Sequence, residues 1–380
     1  MEGSGNLNIV TLGRSGVGKS SLLNYLIGEQ RFKTGVGRPV TRKGFFEERS
    51  VIDGVPVTFI DSYGIESGDN FKEWQSLLEE QIKKHDLSHS ISEWLHVILY
   101  CISAEDSRIQ PIDCEIIKRF SQEGIKLIVV LTNADRCEEE DCEILKNTLL
   151  NQCDALKDDD FVEICSVNEP EEFSGRGLRI MIIEQYVENI LKALPEHCIL
   201  RAKQEISSFK KVMDTEIQSR KYSLFDADSD HGKWLERNCQ KFVEKFNKEI
   251  YPHIIRNSVD EMICCAKNLG NILQKHAKAD ETSGSFVSKF NTSLGKSTDL
   301  WEDDDPFIEK LAKGTLMTIL FVPLAIAAIV YLLIYGEDDV KKELSRANAS
   351  FAEQLQRQVD DSKPRLEEFF ANIRRRIFCD

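Results

Sequence analysis

The chain lacks the cysteine spacing of a metal site or a disulfide framework. Its 380 residues include 11 cysteines, an odd number, and none of them forms a CxxC pair. Cys264 and Cys265 are adjacent, and this spacing suits neither zinc nor a set of disulfides. We therefore expect reduced thiols, which are typical of a cytoplasmic protein.

A secretion signal and an excess of basic charge are also missing. The first residues contain neither a basic segment nor the apolar core of a signal peptide. The formal net charge is −15. This charge argues against nucleic acid as the main partner, because binding to a phosphate backbone depends on lysine and arginine.

Charge is absent from one long segment, residues 315–335, which contains 21 consecutive uncharged residues. A helix of this length could cross a bilayer. Pro323 divides the segment, so a hairpin inserted in the membrane or at its surface is a second possibility. The third is the buried central helix of a helical bundle. We expect one of the two membrane arrangements rather than the buried helix.

The chain has two parts of different character, and its length is sufficient for two domains. Residues 1–195 alternate between strand and helix patterns, which predicts an α/β fold with a mixed, mostly parallel sheet and helices on both faces. The predicted strands are 7–12, 44–51, 55–60, 95–102, 125–131 and 161–165.

Beyond Pro195 the strand patterns disappear, and apolar residues recur at helical spacing. These residues are Ile206, Phe209, Val212 and Ile217, then Phe242, Phe246, Ile250 and Ile254. A last helical region, about 338–378, places Leu344, Phe351, Leu355 and Val359 on one stripe. We therefore predict that residues 196–380 form an all-α domain that contains 315–335.

The run from Gly13 to Ser20, GRSGVGKS, fits every fixed position of the phosphate-binding pattern GxxxxGK[ST]. An apolar strand precedes it and a helix follows, which is the setting that the pattern requires. Successive backbone N–H groups then converge on a phosphate chain at the start of a helix. Lys19 would reach the β- and γ-phosphates and Ser20 would bind Mg²⁺. The predicted nucleotide contacts here are Gly13, Ser15, Gly16, Val17, Gly18, Lys19, Ser20 and Ser21.

Three later segments indicate which nucleotide is bound. Thr41 lies in a loop that could supply a second Mg²⁺ ligand and sense the γ-phosphate. Asp61 ends a strand and would place a carboxylate near the metal, and Gly64 would offer its N–H to the γ-phosphate. Asp135 follows another strand, where it could pair with N1 and the 2-amino group of guanine. Adenine has no such donor pair, so these segments favour a guanine nucleotide.

The order of these motifs over residues 5–195 resembles the G domain of Era/TrmE-like P-loop GTPases, and more loosely that of dynamin-like and immunity-related GTPases. The resemblance implies GTP or GDP with Mg²⁺ as ligands. It implies catalytic roles for Lys19, Thr41 and Gly64, and metal binding by Ser20, Thr41 and Asp61. It also implies base contacts from Thr132, Asn133, Asp135, Ser166 and Val167.

Several residues depart from the family pattern. Asn133 stands where a lysine usually packs along the guanine plane, and Thr132 replaces the commonest asparagine. Ile65 follows the DxxG glycine, where Ras-like proteins have a glutamine that orients water. Gly16 occupies the place of the asparagine that binds potassium in TrmE-like members. We therefore expect slow hydrolysis without potassium dependence, accelerated by dimerisation or a partner.

Arg14 and Arg38 are candidate arginine fingers, and solvated surface arginines are the alternative. The function that we predict is a GTP-hydrolysing switch or assembly enzyme, cytoplasmic, with a homodimer through its G domain and membrane association through 315–335. Two other functions stay open. One is a ribosome- or RNA-linked Era-like GTPase, and the other is a GTP-binding scaffold with negligible turnover.

Overall fold

The six predicted strands are all present, and they form one sheet with the order β2-β3-β1-β4-β5-β6. The computed structural model describes residues 6–27, 30–32, 44–52, 55–62, 64, 70–106, 109–122, 125–165, 177–221, 231–276, 290 and 337–378. The strands are β1 (Leu7–Gly13), β2 (Phe45–Ile52), β3 (Val55–Ser62), β4 (Val97–Ser103), β5 (Ile128–Thr132) and β6 (Phe161–Ile164).

The sheet is mixed and mostly parallel, as predicted. β1 pairs in parallel with β3 and β4, β4 with β5, and β5 with β6, whereas β2 pairs antiparallel with β3. All residues of β1, β4 and β5 are buried. This explains their nearly continuous apolar sequences, since the central strands of such a sheet are covered on both faces.

β1 lies at the switch point of the sheet, between β3 and β4. The register places Thr11 opposite Asp61, and Gly13 opposite Cys101. Further along, Ser103 lies opposite Thr132. The carboxyl ends of four strands therefore meet at one edge, which is where ligands bind in open α/β sheets.

Two strands begin two or three residues later than predicted, β4 at Val97 and β5 at Ile128. In β4 the reason is the side chain of His96, whose Nδ1 accepts from the Asn8 N–H at 2.9 Å. The Asn8 carbonyl in turn accepts from the His96 N–H at 3.0 Å. An imidazole thus takes the place of a backbone carbonyl just before the strand.

Helices form most of the remainder of the described chain. They are α1 (Lys19–Ile27), α2 (Asn70–Lys84), α3 (Pro111–Gln122), α4 (Glu139–Gln152), α5 (Leu178–Ser219), α6 (His231–Lys245), α7 (Tyr251–His276), α8 (Glu337–Asp360) and α9 (Lys363–Phe378). One π-helical turn, Phe246–Ile250, separates α6 from α7. All ten cysteines among the described residues are free thiols.

The chain divides into two compact units. The first contains the described residues of Met1–Lys192, Asp260–Leu300 and Ile373–Asp380. In it, the Tyr186 hydroxyl on α5 donates to the Met262 carbonyl on α7 at 2.9 Å. Gln185 Nε2 donates to the Lys126 carbonyl, which precedes β5, at 2.6 Å. The predicted single boundary at residue 195 stays a prediction.

The second unit contains the described residues of Ala193–Val259 and Trp301–Asn372, and all of them are helical or in short turns. Phe209 on α5 stacks on Phe242 of α6 with ring centroids 4.0 Å apart, and it meets Phe351 of α8 edge-on at 5.9 Å. The predicted stripe on α8 is buried.

One detail of the helical prediction was wrong. Val212 is 55% exposed, and Met213 takes its place in the buried stripe of α5 because it lies four residues before the buried Ile217. The region 338–378 contains two helices, α8 and α9, separated at Asp361 and Ser362. Pro364 lies in the first turn of α9, where its missing N–H has no intrahelical partner to lose.

The segment 315–335 lies outside the described residues. Within the part of the chain that the structure describes, no helix is long and apolar enough to cross a membrane.

Candidate functional site

The run that fits the phosphate-binding pattern forms the connection between β1 and α1. Gly13, Gly16 and Gly18 have φ angles of 135°, 82° and 91°, a region that side-chain-bearing residues rarely adopt. Gly13 also lies against the neighbouring strand, because a Cβ there would be 2.2 Å from the Cys101 carbonyl oxygen. Glycine is therefore required at this position by both conformation and space.

Lys19 is the charged centre of this loop. Its side chain is only 7% exposed, and Nζ donates to the carbonyls of Gly13 at 3.0 Å and Arg14 at 2.7 Å. Burial lowers the pKa of Lys19, and the nearby Asp61 carboxylate opposes this effect. The ammonium group is thus held inside the loop, where it can meet an anionic phosphate.

A hydroxyl and a carboxylate meet beside the lysine. Ser20 Oγ, at the start of α1, donates to Asp61 Oδ2 at 3.4 Å, and Thr11 Oγ1 donates to Asp61 Oδ1 at 3.3 Å. The Thr11 contact follows from the parallel pairing of β1 with β3, which sets Thr11 opposite Asp61. Mg²⁺ prefers oxygen ligands of these kinds.

The donor set fits a magnesium ion shared with a phosphate rather than a metal held by protein alone. Among the described residues, no group of three or more His, Cys, Asp or Glu side chains could hold a metal ion. Mg²⁺ usually takes one or two protein oxygens and completes its six ligands with phosphate and water. Ser20 and Asp61 match that pattern. Thr41 lies outside the described residues.

Gly64 comes into direct contact with the phosphate loop. A Cβ at this position would lie 2.4 Å from Ser15 Cα and 2.5 Å from Ser15 N. Only glycine lets the two backbones approach so closely. The contact links the end of the DxxG segment, Asp61 to Gly64, to the phosphate loop at Ser15. Ile65 lies outside the described residues.

Thr132, at the end of β5, contacts the phosphate loop. It is buried, and its hydroxyl donates to the Val17 carbonyl at 2.5 Å, with the Ile102 carbonyl 3.2 Å away. The end of β5 therefore supports the phosphate loop. Asn133 is left-handed, with φ of 57°, and its Nδ2 donates to Ser103 Oγ at 3.1 Å.

Asp135 is exposed in the short 3₁₀ turn Ala134–Arg136, two residues beyond the supported Asn133. Its carboxylate is thus accessible to a base at the carboxyl edge. Ser166 and Val167, the other predicted base contacts, lie outside the described residues, and so does Arg38.

Sequence reasoning missed three residues that shape the site: Thr11, Cys101 and Ser103. Thr11 could have been noticed, since it is the second polar residue within the apolar run of β1. The roles of the other two depend on strand pairing, which one sequence does not show. Asp106 follows a strand end, and the sequence suggests a structural or dimer-contact role for it. Asp106 forms an ion pair with Arg14, with Oδ2 and Nη2 2.5 Å apart.

A protein-family model described as a 50S ribosome-binding GTPase matches residues 8–133. This range contains every described residue of the site except Asp135.

Curated relatives match the same part of the chain. GTPase Era of Caldicellulosiruptor saccharolyticus is 28% identical over 188 residues, which cover 50% of this chain and 55% of that protein. The translocase of chloroplast 34 homolog of Chlamydomonas reinhardtii is 31% identical over 151 residues, covering 35% of this chain and 36% of that protein. The matches thus span about half of the relatives' length or less.

Solved structures are similar to this part as well. Toc33 from Arabidopsis thaliana in complex with Mg²⁺ and GMPPNP is 21% identical, with a TM-score of 0.34, over 45% of this chain and 72% of that one. Era in complex with MgGDPNP and 16S ribosomal RNA is 22% identical, with a TM-score of 0.32, over 50% and 67% of the two chains.

Proposed function

Residues 8–133 belong to a P-loop GTPase domain of the bacterial, Era/TrmE-like type, and on this premise we propose that the protein binds GTP with Mg²⁺ and hydrolyses it to GDP and phosphate. One observation carries the proposal: Lys19, Ser20 and Asp61 meet at the start of α1, inside a glycine loop. Each side chain has the chemistry that phosphoryl transfer requires at this place.

The protein's own groups would divide the work as follows. The backbone N–H groups of the loop and Lys19 bind the β- and γ-phosphates. Ser20 and Asp61 would hold Mg²⁺, which would supply positive charge to the phosphate oxygens, and Thr41 is the proposed third protein ligand. Gly64 would sense the γ-phosphate through its N–H, and Asp135 would select guanine.

We expect the intrinsic rate to be slow. Ile65 follows Gly64, and an isoleucine cannot orient a water molecule by hydrogen bonding. A second copy of the chain or another partner would therefore accelerate turnover. If the Thr41 and Gly64 segments order around the γ-phosphate, the protein would act as a switch.

A single-turnover assay with radiolabelled GTP tests the proposal. The full chain should bind GTP and release phosphate in a Mg²⁺-dependent way, and Lys19→Ala should lose both while it stays folded. Lys118→Ala, an exposed lysine on α3, is the matched control and should behave as the unmodified protein. Binding without phosphate release would instead support the scaffold alternative.

We further propose that residues 315–335 contact a membrane, supported by their 21 uncharged residues. Liposome flotation of the full chain with GDP, a slowly hydrolysed GTP analogue or no nucleotide tests this. A variant with two aspartates inserted in 315–335 should no longer float, although it still binds GTP. If nothing floats and the aspartates unfold the protein, the segment is core.

Because the chain is similar to Era, binding to ribosomes is a second candidate function. Cosedimentation with ribosomes in the same three nucleotide states would detect an RNA-linked function. The net charge of −15 argues against it. Nucleotide-dependent cosedimentation without flotation would favour the ribosome over a membrane.

A further inference from the structure

Arg14, the second residue of the phosphate loop, is held from the side by two carboxylates. Its Nη2 lies 2.5 Å from Asp106 Oδ2, and its Nε lies 3.8 Å from Asp113 Oδ2. The side chains of Arg14 and Asp106 are 19% and 36% exposed, whereas that of Asp113 is 1% exposed. The arginine is therefore fixed between the loop and the start of α3.

Asp113 is itself firmly placed. Its Oδ1 accepts from the Tyr100 hydroxyl of β4 at 2.7 Å, and its Oδ2 accepts from the Gln110 N–H at 2.9 Å. The second bond caps the first turn of α3. A buried carboxylate needs partners of this kind, and Arg14 supplies the countercharge.

The backbone of Arg14 connects this network to the phosphate-binding lysine. The Arg14 carbonyl accepts from Lys19 Nζ at 2.7 Å, together with the Gly13 carbonyl at 3.0 Å. A shift of Arg14 would therefore shift the acceptors that place Lys19. A lysine that is out of position binds phosphate less well, since this contact depends on distance.

The connection that carries Asp106 also holds the base-binding side of the site. The Ala104 N–H donates to the Thr132 carbonyl at 2.7 Å, and Ser103 Oγ accepts from Asn133 at 3.1 Å. Glu105 lies 3.5 Å from Arg136. Residues 103–106 thus contact the base segment through one end and the phosphate loop through the other.

We propose that Asp106, supported by Asp113, is a positioning residue that acts through Arg14 to keep the phosphate loop and Lys19 aligned for nucleotide binding. Arg14 is then a fixed part of the loop and not an arginine finger. This inference rests on the proposed GTP-binding function and names further residues on which it depends.

The test is a double-mutant cycle with Arg14→Gln and Asp106→Asn in the full chain. GDP affinity is measured by titration with a fluorescent GDP analogue, and GTP turnover by kcat and KM. Each single variant should bind GDP about 10-fold more weakly, equivalent to ~1.4 kcal/mol. The double variant should lose no more than one single variant does, because both changes break the same contact.

Further variants separate positioning from general stability. Asp106→Glu keeps the charge and should restore part of the affinity. Glu79→Gln is the control, since it removes the charge of Glu79, whose carboxylate pairs with Arg119 at 2.9 Å between α2 and α3. This partly exposed pair lies away from the phosphate loop, so GDP affinity should be unchanged. KM should rise in the site variants, with kcat little changed.

Several outcomes would overturn the inference. Single variants that bind GDP as the unmodified protein does would show that the pair positions nothing. Additive losses would show that the two residues act independently. A fall in kcat for Arg14→Gln alone would favour the finger. An unmodified chain that binds no GDP would refute the proposed function itself.

Discussion

Gly13→Ala tests how closely β1 must approach β4 for the site to form. Two separate strains arise at this position. Gly13 has a φ of 135°, which an alanine rarely adopts. In addition, the new Cβ would be 2.2 Å from the Cys101 carbonyl oxygen and 3.2 Å from Val17 Cγ2. The carbonyl belongs to a buried strand and cannot move freely.

The size of the effect follows from these two strains. An unfavourable φ costs about 1–3 kcal/mol. Forcing extra volume into a packed region costs another ~1–3 kcal/mol. Gly13→Ala should therefore lower the free energy of unfolding by roughly 2–6 kcal/mol, a large part of the stability of an ordinary domain.

Gly16→Ala is the matched control, since it lies in the same loop. Its φ is 82°, and a Cβ there would have no neighbour within 4 Å. Gly16→Ala should lower the free energy of unfolding only by the cost of the unfavourable φ. The difference between the two variants then measures the cost of the close approach at Gly13. Urea unfolding followed by circular dichroism measures both. Equal losses of unfolding free energy would show that the Cys101 carbonyl does not restrict position 13.

Three further predictions concern the site and its support. Thr132→Val leaves the buried Val17 carbonyl without the hydroxyl that now donates to it, so we expect about 1–3 kcal/mol less stability in urea unfolding, and an unchanged value would contradict that role. Asp61→Asn should reduce the dependence of GDP affinity on Mg²⁺, measured by titration with and without EDTA, because an amide binds the ion more weakly than a carboxylate; an unchanged dependence would remove Asp61 from the metal site. Burial lowers the pKa of His96 from 6.5 to about 4, so the unfolded chain takes up a proton first as the pH falls. Protonation of His96 in the unfolded chain should then remove about 3 kcal/mol of stability between pH 6.5 and 4, and His96→Gln should lose about 3 kcal/mol less over the same interval; equal losses would contradict the shift.

Local patterns were sufficient to predict most of the first part of the chain. The strands were found because β1, β4 and β5 are buried on both faces and their sequences are almost uninterrupted apolar runs. The phosphate loop was found because its chemistry depends on residues that are close together in the sequence. Lys19 and Ser20 are adjacent and need no distant partner to be recognised.

Other features depend on distant segments that meet only in the folded chain. Arg14 looked like a candidate finger, but Asp106, 92 positions away, fixes its side chain. Thr132 is a predicted base contact, and only the folded chain shows that its hydroxyl also supports Val17, 115 positions away.

The amino-acid sequence by itself therefore determined the type of site: a glycine loop, a lysine, a hydroxyl and a strand-end carboxylate, each recognisable from short-range order. The tertiary structure decided how these groups are held. Strand register set Thr11 beside Asp61, and the approach of β4 to β1 made Gly13 necessary. The physical reason is that bond geometry and burial patterns act over a few residues, whereas register and ion pairing arise only when strands far apart in the chain come together in the sheet.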